Sequence, residues 1–186
     1  MPSNSSDDRP DDFEFWDLNE KDDWQTPPDL IADLQTALEG IDLDPCAHPD
    51  STIAETNWCL EDGTDGLVQS WDGYETVFIN PPFSYKSEWL AKATEELTKP
   101  SELPKTIVTL TPDSTDTKSW WHEYIATHAN YICFSEGRIA YYTDGNPAKS
   151  PTFGTAISVF GDCPDSLLAM LHDWGHVVKT ISPPQE

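Results

Sequence analysis

Apolar and polar positions alternate along the chain so as to predict helices interspersed with short apolar strands, beginning near Trp24. Leu30, Leu34, Ala37 and Leu38 share one helical face, introduced by Thr26-Pro27-Pro28-Asp29 and ended by Gly40. Thr26 is placed as the N-cap and Pro27 at the first helical position. Ile41 to Asp44 predicts a short buried strand running into Asp44-Pro45-Cys46-Ala47, and residues 48 to 73 are turn-rich and irregular. The run from Glu75 to Ile79 predicts a strand that enters Asn80-Pro81-Pro82-Phe83, followed by a helix with Trp89, Ala93 and Leu97 on one face. Further strands are expected over 105–110, 131–134, 138–142, 155–160 and 176–181. Helices are expected near 116–127, with Trp120, Tyr124 and Ile125 inward, and near 164–173.

This alternation indicates an α/β domain over 23–182, a mostly parallel sheet flanked by helices. Residues 1–22 are polar and acidic without sustained period and predict a disordered tail; 183–186 form a short C-terminal tail. In parallel sheets ligands bind beyond the carboxyl ends of the strands, where Asp44 and Asn80 are expected.

Composition changes the picture in one respect. The chain has 34 acidic and 10 basic residues, a net charge of −24, where a nucleic-acid-binding protein normally carries a basic footprint. Three explanations compete: a protein that never touches nucleic acid, a mimic whose carboxylates copy phosphates, or adaptation to molar salt, where the Debye length falls to ~3 Å. The acids are spread through helices, loops and tail, which favours salt adaptation. Cys46, Cys59, Cys133 and Cys163 are scattered without zinc-site spacing and read as reduced thiols of a cytoplasmic protein. The five histidines show no ligand spacing, so no metal is expected, and no apolar run is long enough for a membrane span.

Asn80-Pro81-Pro82-Phe83 carries the candidate chemistry. An exocyclic amino nitrogen is a poor nucleophile because its lone pair is delocalised into the ring. Two preorganised acceptors, the Asn80 side-chain oxygen and the Pro81 carbonyl, would take its two N–H bonds and stabilise the positive charge that grows on attack. Proline has no N–H, so Pro81 and Pro82 fix the loop without presenting donors, and Phe83 offers a face for stacking. A plain turn after a strand would have the same sequence, so the company of the motif matters.

That company is Thr26-Pro27-Pro28, Asp44-Pro45-Cys46-Ala47 and Asp65-Gly66-Leu67 upstream, with Trp24, Trp71, Pro112, Thr117, Gly137-Arg138-Ile139 and Pro151-Thr152-Phe153-Gly154 in order around them. The ordered set, from Trp24 to about Phe160, resembles the phage-type DNA N6-adenine methyltransferases (phage Dam). The resemblance implies a Rossmann-like, S-adenosylmethionine-dependent methyltransferase, encoded by a virus or provirus and located in the host cytoplasm. It implies that Thr26 and Pro27 hold the methionine end of the cofactor, that Asp44, Pro45 and Ala47 line its pocket, and that Asp65 and Leu67 meet its adenine. Phe153 becomes a second aromatic wall for an extruded base, and Arg138 a phosphate contact or the partner of a buried acid. Duplex DNA with base flipping is the implied partner.

The sequence also departs from the pattern. Cys46-Ala47-His48-Pro49 replaces the usual glycine-rich turn, Glu55 is the candidate for the acid that holds the ribose, and no separate target-recognition domain follows Phe160. Sequence readout then falls to loops, a second subunit in a homodimer, or both. Cytosine N4, RNA or a glutamine amide would suit the same loop, and a non-catalytic acidic DNA mimic is the reading from a different class.

Overall fold

The computed structural model describes residues 24–100, 105–143, 145–148 and 151–181, so the tails expected over 1–22 and 183–186 lie outside the described residues. In chain order the strands are β1 (Leu43–Asp44), β2 (Thr56–Asn57), β3 (Thr76–Ile79), β4 (Thr106–Pro112), β5 (Tyr131–Ser135), β6 (Tyr142–Thr143), β7 (Asn146–Pro147), β8 (Thr155–Gly161) and β9 (Gly175–Lys179). Seven of them form one sheet in the order β2-β1-β3-β4-β8-β5-β9, while β6 and β7 pair separately. β2, β1, β3 and β4 run parallel, and β8 and β9 are antiparallel to their neighbours, so the sheet is mainly parallel in direction. This is a mixed α/β architecture consistent with a methyltransferase.

The central strands are apolar on both faces because helices cover both. Phe78, Val108, Ile157 and Val159 point into one layer, against helices α1 (Pro28–Ala37) and α4 (Asp165–Trp174). Val77, Ile79, Ile107 and Phe160 point into the other, against α2 (Lys86–Thr98) and a π-helix (Lys118–Ile125) that runs into α3 (Ala126–His128). Phe78 is fully buried at the centre, and its truncation to alanine is expected to cost roughly 3–5 kcal/mol.

Three local expectations need correction. Helix α1 starts at Pro28 with Pro27 as an extended N-cap (φ −60, ψ 140), and Thr26 makes no capping bond. A residue before proline is pushed out of the helical region, so the second proline moves the start one residue along and frees the Thr26 hydroxyl. The segment 138–142 is not a strand of the sheet. Ile139 and Tyr141 alternate inward, but pairing begins only at Tyr142, which bridges Gln25. Gly137, at φ +77, turns the chain away from β5 before a ladder can form. The helix near 116–127 is largely π-helical, with the His122 N–H bonded to the Thr117 carbonyl five residues back. The wider turn buries the adjacent Trp120 and Trp121 together, while Tyr124 stays half-buried.

β2 falls within the stretch read as irregular, and the crossover from β1 to β2 has no helix. β1 leads outward to the edge strand β2, whereas β3 leads through α2 to β4 on the other side. The crevice between β1 and β3 is therefore a topological switch point, the usual ligand position in such a sheet.

Candidate active site

A cavity of about 690 Å³ opens at that switch point, within the range of small-molecule sites, ~300–1,000 Å³. Its walls include Thr26, Asp44, Pro45, Ala47, Asp65, Asn80 and Pro82, so segments far apart in sequence meet around one space. Pro27, Pro81 and Leu67 stand directly behind these residues in the chain without lining the cavity.

Asp44 ends β1 and is buried. Its Oδ1 accepts the Cys46 N–H at 3.2 Å, so it caps the following turn and also faces the cavity. Burial pushes its carboxyl up to about 7 against the opposing pull of that hydrogen bond. Burial and the neighbouring Asp44 charge raise the Cys46 thiol well above its ordinary range. That thiol donates to the carbonyl of Asn80 at 3.6 Å, joining the end of β1 to the loop after β3.

Asn80 leaves β3 extended because prolines follow it. Its Nδ2 donates to the carbonyl of Trp24 at 2.9 Å, which commits the nitrogen end of the amide and makes Oδ1 the end available to a ligand. The Tyr85 N–H donates to the Pro82 carbonyl at 3.0 Å, whereas the Pro81 carbonyl accepts no backbone N–H among the described residues. Phe83 is half-buried, with its ring 5.6 Å from Trp24 and 5.2 Å from Phe153, and Lys86 Nζ lies 4.9 Å from its centroid. At these separations Phe83 and Phe153 are in contact, so Phe153 backs Phe83 rather than facing it across a gap. Trp24 stacks on Tyr141 at 5.2 Å and completes the cluster.

Asp65 accepts the Leu67 N–H through Oδ1 at 2.9 Å, forming a tight turn. Gly66 lies so close to Pro45 that a Cβ would fall 2.0 Å from the Pro45 carbonyl oxygen. Here glycine is required by contact between two cavity walls. Trp71, one of the ordered motif residues, is fully buried and donates its indole N–H to the Gly66 carbonyl at 2.9 Å.

A family model described as DNA N-6-adenine-methyltransferase (Dam) matches residues 17–160, more than half of the chain. The chain belongs to this family. Among the relatives of this Dam-family chain is the DNA N-6-adenine-methyltransferase of Escherichia phage T1, 25% identical over 123 residues, covering 66% of this chain and 48% of that protein. The chain thus spans about half the length of that relative.

Other expected residues stand apart. Arg138 is exposed, lies off the cavity and pairs with no acid among the described residues. Glu55 is exposed and off the cavity, while Asp50, at φ +63, lines it. All five histidines are exposed. Among the described residues no helix is long and apolar enough to cross a membrane, and no group of three or more His, Cys, Asp or Glu is placed to hold a metal ion. Sequence reasoning missed the part of Trp24, whose carbonyl orients Asn80; its place at the head of the Thr26-Pro27 segment was the available signal. It also left Trp89 as a core residue, although Trp89 lines the cavity.

Proposed function

We propose that this protein transfers a methyl group from S-adenosylmethionine to the N6 amino group of adenine in DNA. The observation that carries the reading is the orientation of Asn80, nitrogen tied to Trp24 and oxygen available, on the wall of a ligand-sized cavity shared with Asp44 and Asp65. The residues fit the donor in chemistry as well as space. The Thr26 hydroxyl is buried and lacks a partner, and the two carboxylates suit an ammonium and an adenine amino group. Thr26 and Asp44 would hold the amino-acid end and Asp65 the adenine, with Pro45 and Ala47 on the walls and Pro27 and Leu67 behind them. When bound, S-adenosylmethionine supplies an electrophilic methyl group.

The chain's own residues do the rest. Asn80 Oδ1 and the Pro81 carbonyl accept the two N–H bonds of the target amine and aim its lone pair at the cavity, so positioning provides most of the rate. Pro82 stiffens the loop. The target base, flipped from a duplex at a cost of a few kcal/mol, stacks on Phe83, which Phe153 supports from behind. Arg138 supplies an exposed cation for a DNA phosphate.

Incubating the protein with labelled donor and unmethylated DNA at molar KCl, then digesting to nucleosides, tests the reading. Label in N6-methyl-2′-deoxyadenosine supports it, and label confined to a methyl-2′-deoxycytidine or absent from DNA refutes it. The net charge of −24 favours a second reading, an acidic DNA mimic. Donor binding measured by calorimetry excludes the mimic, which has no use for the cavity.

A further inference from the structure

An aromatic platform for an extruded base leaves the backbone of that nucleotide to be held by something else. Base and phosphate are one sugar apart, and proteins that hold unstacked nucleotides combine aromatic rings with cations for this reason. Cations are scarce in this chain, 10 against 34 acids. Lys92 and Lys99 are bound to Glu96, and Lys105 to the Trp71 carbonyl. Lys179 lies over Tyr131 on the edge strand β9. Lys86 is placed otherwise. Its Nζ is 4.9 Å from the centroid of Phe83 and 5.7 Å from that of Trp120, and it donates to the Phe83 carbonyl.

Local structure accounts for this placement. Phe83–Tyr85 form a 3-10 turn and Lys86 opens α2 directly after it. Side chains three residues apart share a face in such a turn, so Lys86 comes to lie beside Phe83. A lysine over a ring packs its stem on apolar surface while the ammonium keeps its charge, and Lys86 is half-buried. Glu88, two residues along α2, faces another side of the helix. The Ser87 hydroxyl donates to the Ser119 carbonyl at 3.2 Å, so the loop after β4, with exposed Lys118, meets the start of α2.

The chemistry selects an anion of the substrate. An ammonium has three N–H donors and no acceptor, so it can hold a carbonyl and an anionic oxygen together. Neither Phe83 nor Lys86 lines the cavity, so a group held there belongs to the substrate and not to the donor.

We propose that Lys86 binds a phosphate flanking the extruded adenine and so fixes the nucleotide whose base stacks on Phe83. This rests on the reading of the chain as a DNA adenine methyltransferase and names the residue that meets the target backbone.

A duplex carrying a site that the wild type methylates tests it, with each phosphate flanking the methylated adenine replaced in turn by an uncharged methylphosphonate. At one of the two positions the replacement is expected to weaken wild-type binding about tenfold, as for a lost hydrogen bond to a charged group. The same replacement should cost Lys86→Met less than about twofold, because the variant has no charge to lose a partner. Lys86→Met should also make the dependence of log K on log salt shallower by about 0.9, the value for one phosphate, with S-adenosylhomocysteine affinity unchanged. Lys86→Gln keeps an N–H for the Phe83 carbonyl without the charge, and should behave as Lys86→Met does. Equal costs in wild type and variants at both phosphates, an unaltered salt slope, a matching loss of S-adenosylhomocysteine affinity, or wild-type behaviour in Lys86→Gln would overturn the assignment. Should both variants fail to fold, the Lys86 side-chain resonance of isotope-labelled wild type decides. A shift with the unmodified duplex that one methylphosphonate abolishes supports the proposal, and the same response to all three duplexes overturns it. A wild type that methylates no adenine refutes the methyltransferase reading itself and this assignment with it, an outcome distinct from a target duplex bound without help from Lys86.

Discussion

Asn80 and Trp24, 56 residues apart in sequence, are joined by a 2.9 Å hydrogen bond from the side-chain amide to the backbone carbonyl. The bond decides which end of the amide meets the substrate. Asn80→Ala is expected to lower kcat by about 10²–10³, the usual effect of removing one preorganised transition-state contact, with donor affinity changed less than about threefold because the cavity walls are otherwise intact. Asn80→Asp keeps an acceptor but sets a carboxylate against the Trp24 carbonyl, so it should retain part of the activity and bind donor normally. Full activity in Asn80→Ala would remove the residue from the mechanism.

Trp71 holds the Asp65 turn from behind. Its indole N–H grips Gly66, its backbone N–H reaches Glu96 Oε2 at 3.1 Å, and its carbonyl accepts Lys105 Nζ at 3.0 Å. Glu96 is buried and also takes Lys92 and Lys99 at 2.7 and 2.6 Å. These cationic partners and the Trp71 N–H outweigh burial and keep its carboxyl below the ordinary range. Trp71→Phe loses the contact to Gly66 and is expected to weaken donor binding about fivefold, the effect of ~1 kcal/mol, with kcat at saturating donor unchanged. Hydrogen exchange over 65–69 should accelerate in parallel, and unchanged exchange there would argue that the turn is held elsewhere. Gly66→Ala drives a methyl group into the Pro45 carbonyl and should abolish donor binding outright.

Asp44 makes the site sensitive to pH. Its carboxyl, raised to about 7 by burial, favours the folded state when protonated. That contribution is fully present below the unfolded carboxylate range, near 3.9, and is lost as pH rises through 7. Asp44→Asn should therefore stabilise the ligand-free protein above pH 7, by up to roughly 4 kcal/mol at ~1.4 kcal/mol per pH unit. Donor affinity has the opposite dependence, because the ionised form attracts the donor's positive charges. It should rise between pH 6 and about 8 in the wild type and be weak and flat in Asp44→Asn. Thermal melts and donor titrations across that range read both trends.

Much of this arrangement was legible in the chain, for identifiable reasons. β3, β4 and β8 lie between two helical layers, so Val77-Phe78-Ile79 is apolar without interruption, its counterparts are broken only by small hydroxyl residues such as Thr109 and Ser158, and all three read plainly as strands. The ordered motifs identified Thr26, Asp44, Asp65 and Asn80, and all four line one cavity. Tertiary contacts carried the rest. β2 owes its existence to the edge of β1 and has only two residues to signal it. Tyr141 alternates inward as a strand residue would, yet the backbone beside it pairs with Gln25. Trp89 has the spacing of a core residue, and its place on the cavity wall appears only in the folded chain. The π-helix exchanges the ordinary helical period for one that buries Trp120 and Trp121 together.

The acidity yields a prediction about solvent. With a net charge of −24, like charges repel across the whole folded surface, and repulsion opposes the compact state. Salt bridges do little to offset it. Among the described residues they lie on α2 and the residue following it, joining Lys92 and Lys99 to Glu95 and Glu96. At molar KCl the screening length falls to ~3 Å, so the repulsion is removed while buried contacts such as Lys92–Glu96 are left nearly intact. The melting temperature should rise steadily from dilute buffer to molar KCl. DNA binding should show only a shallow salt dependence, because few lysines and arginines are available to displace counterions from phosphate. A protein that melts highest in dilute buffer, or loses DNA affinity steeply with salt, would carry its acids for another purpose, and phosphate mimicry would then account for them better than solvent adaptation.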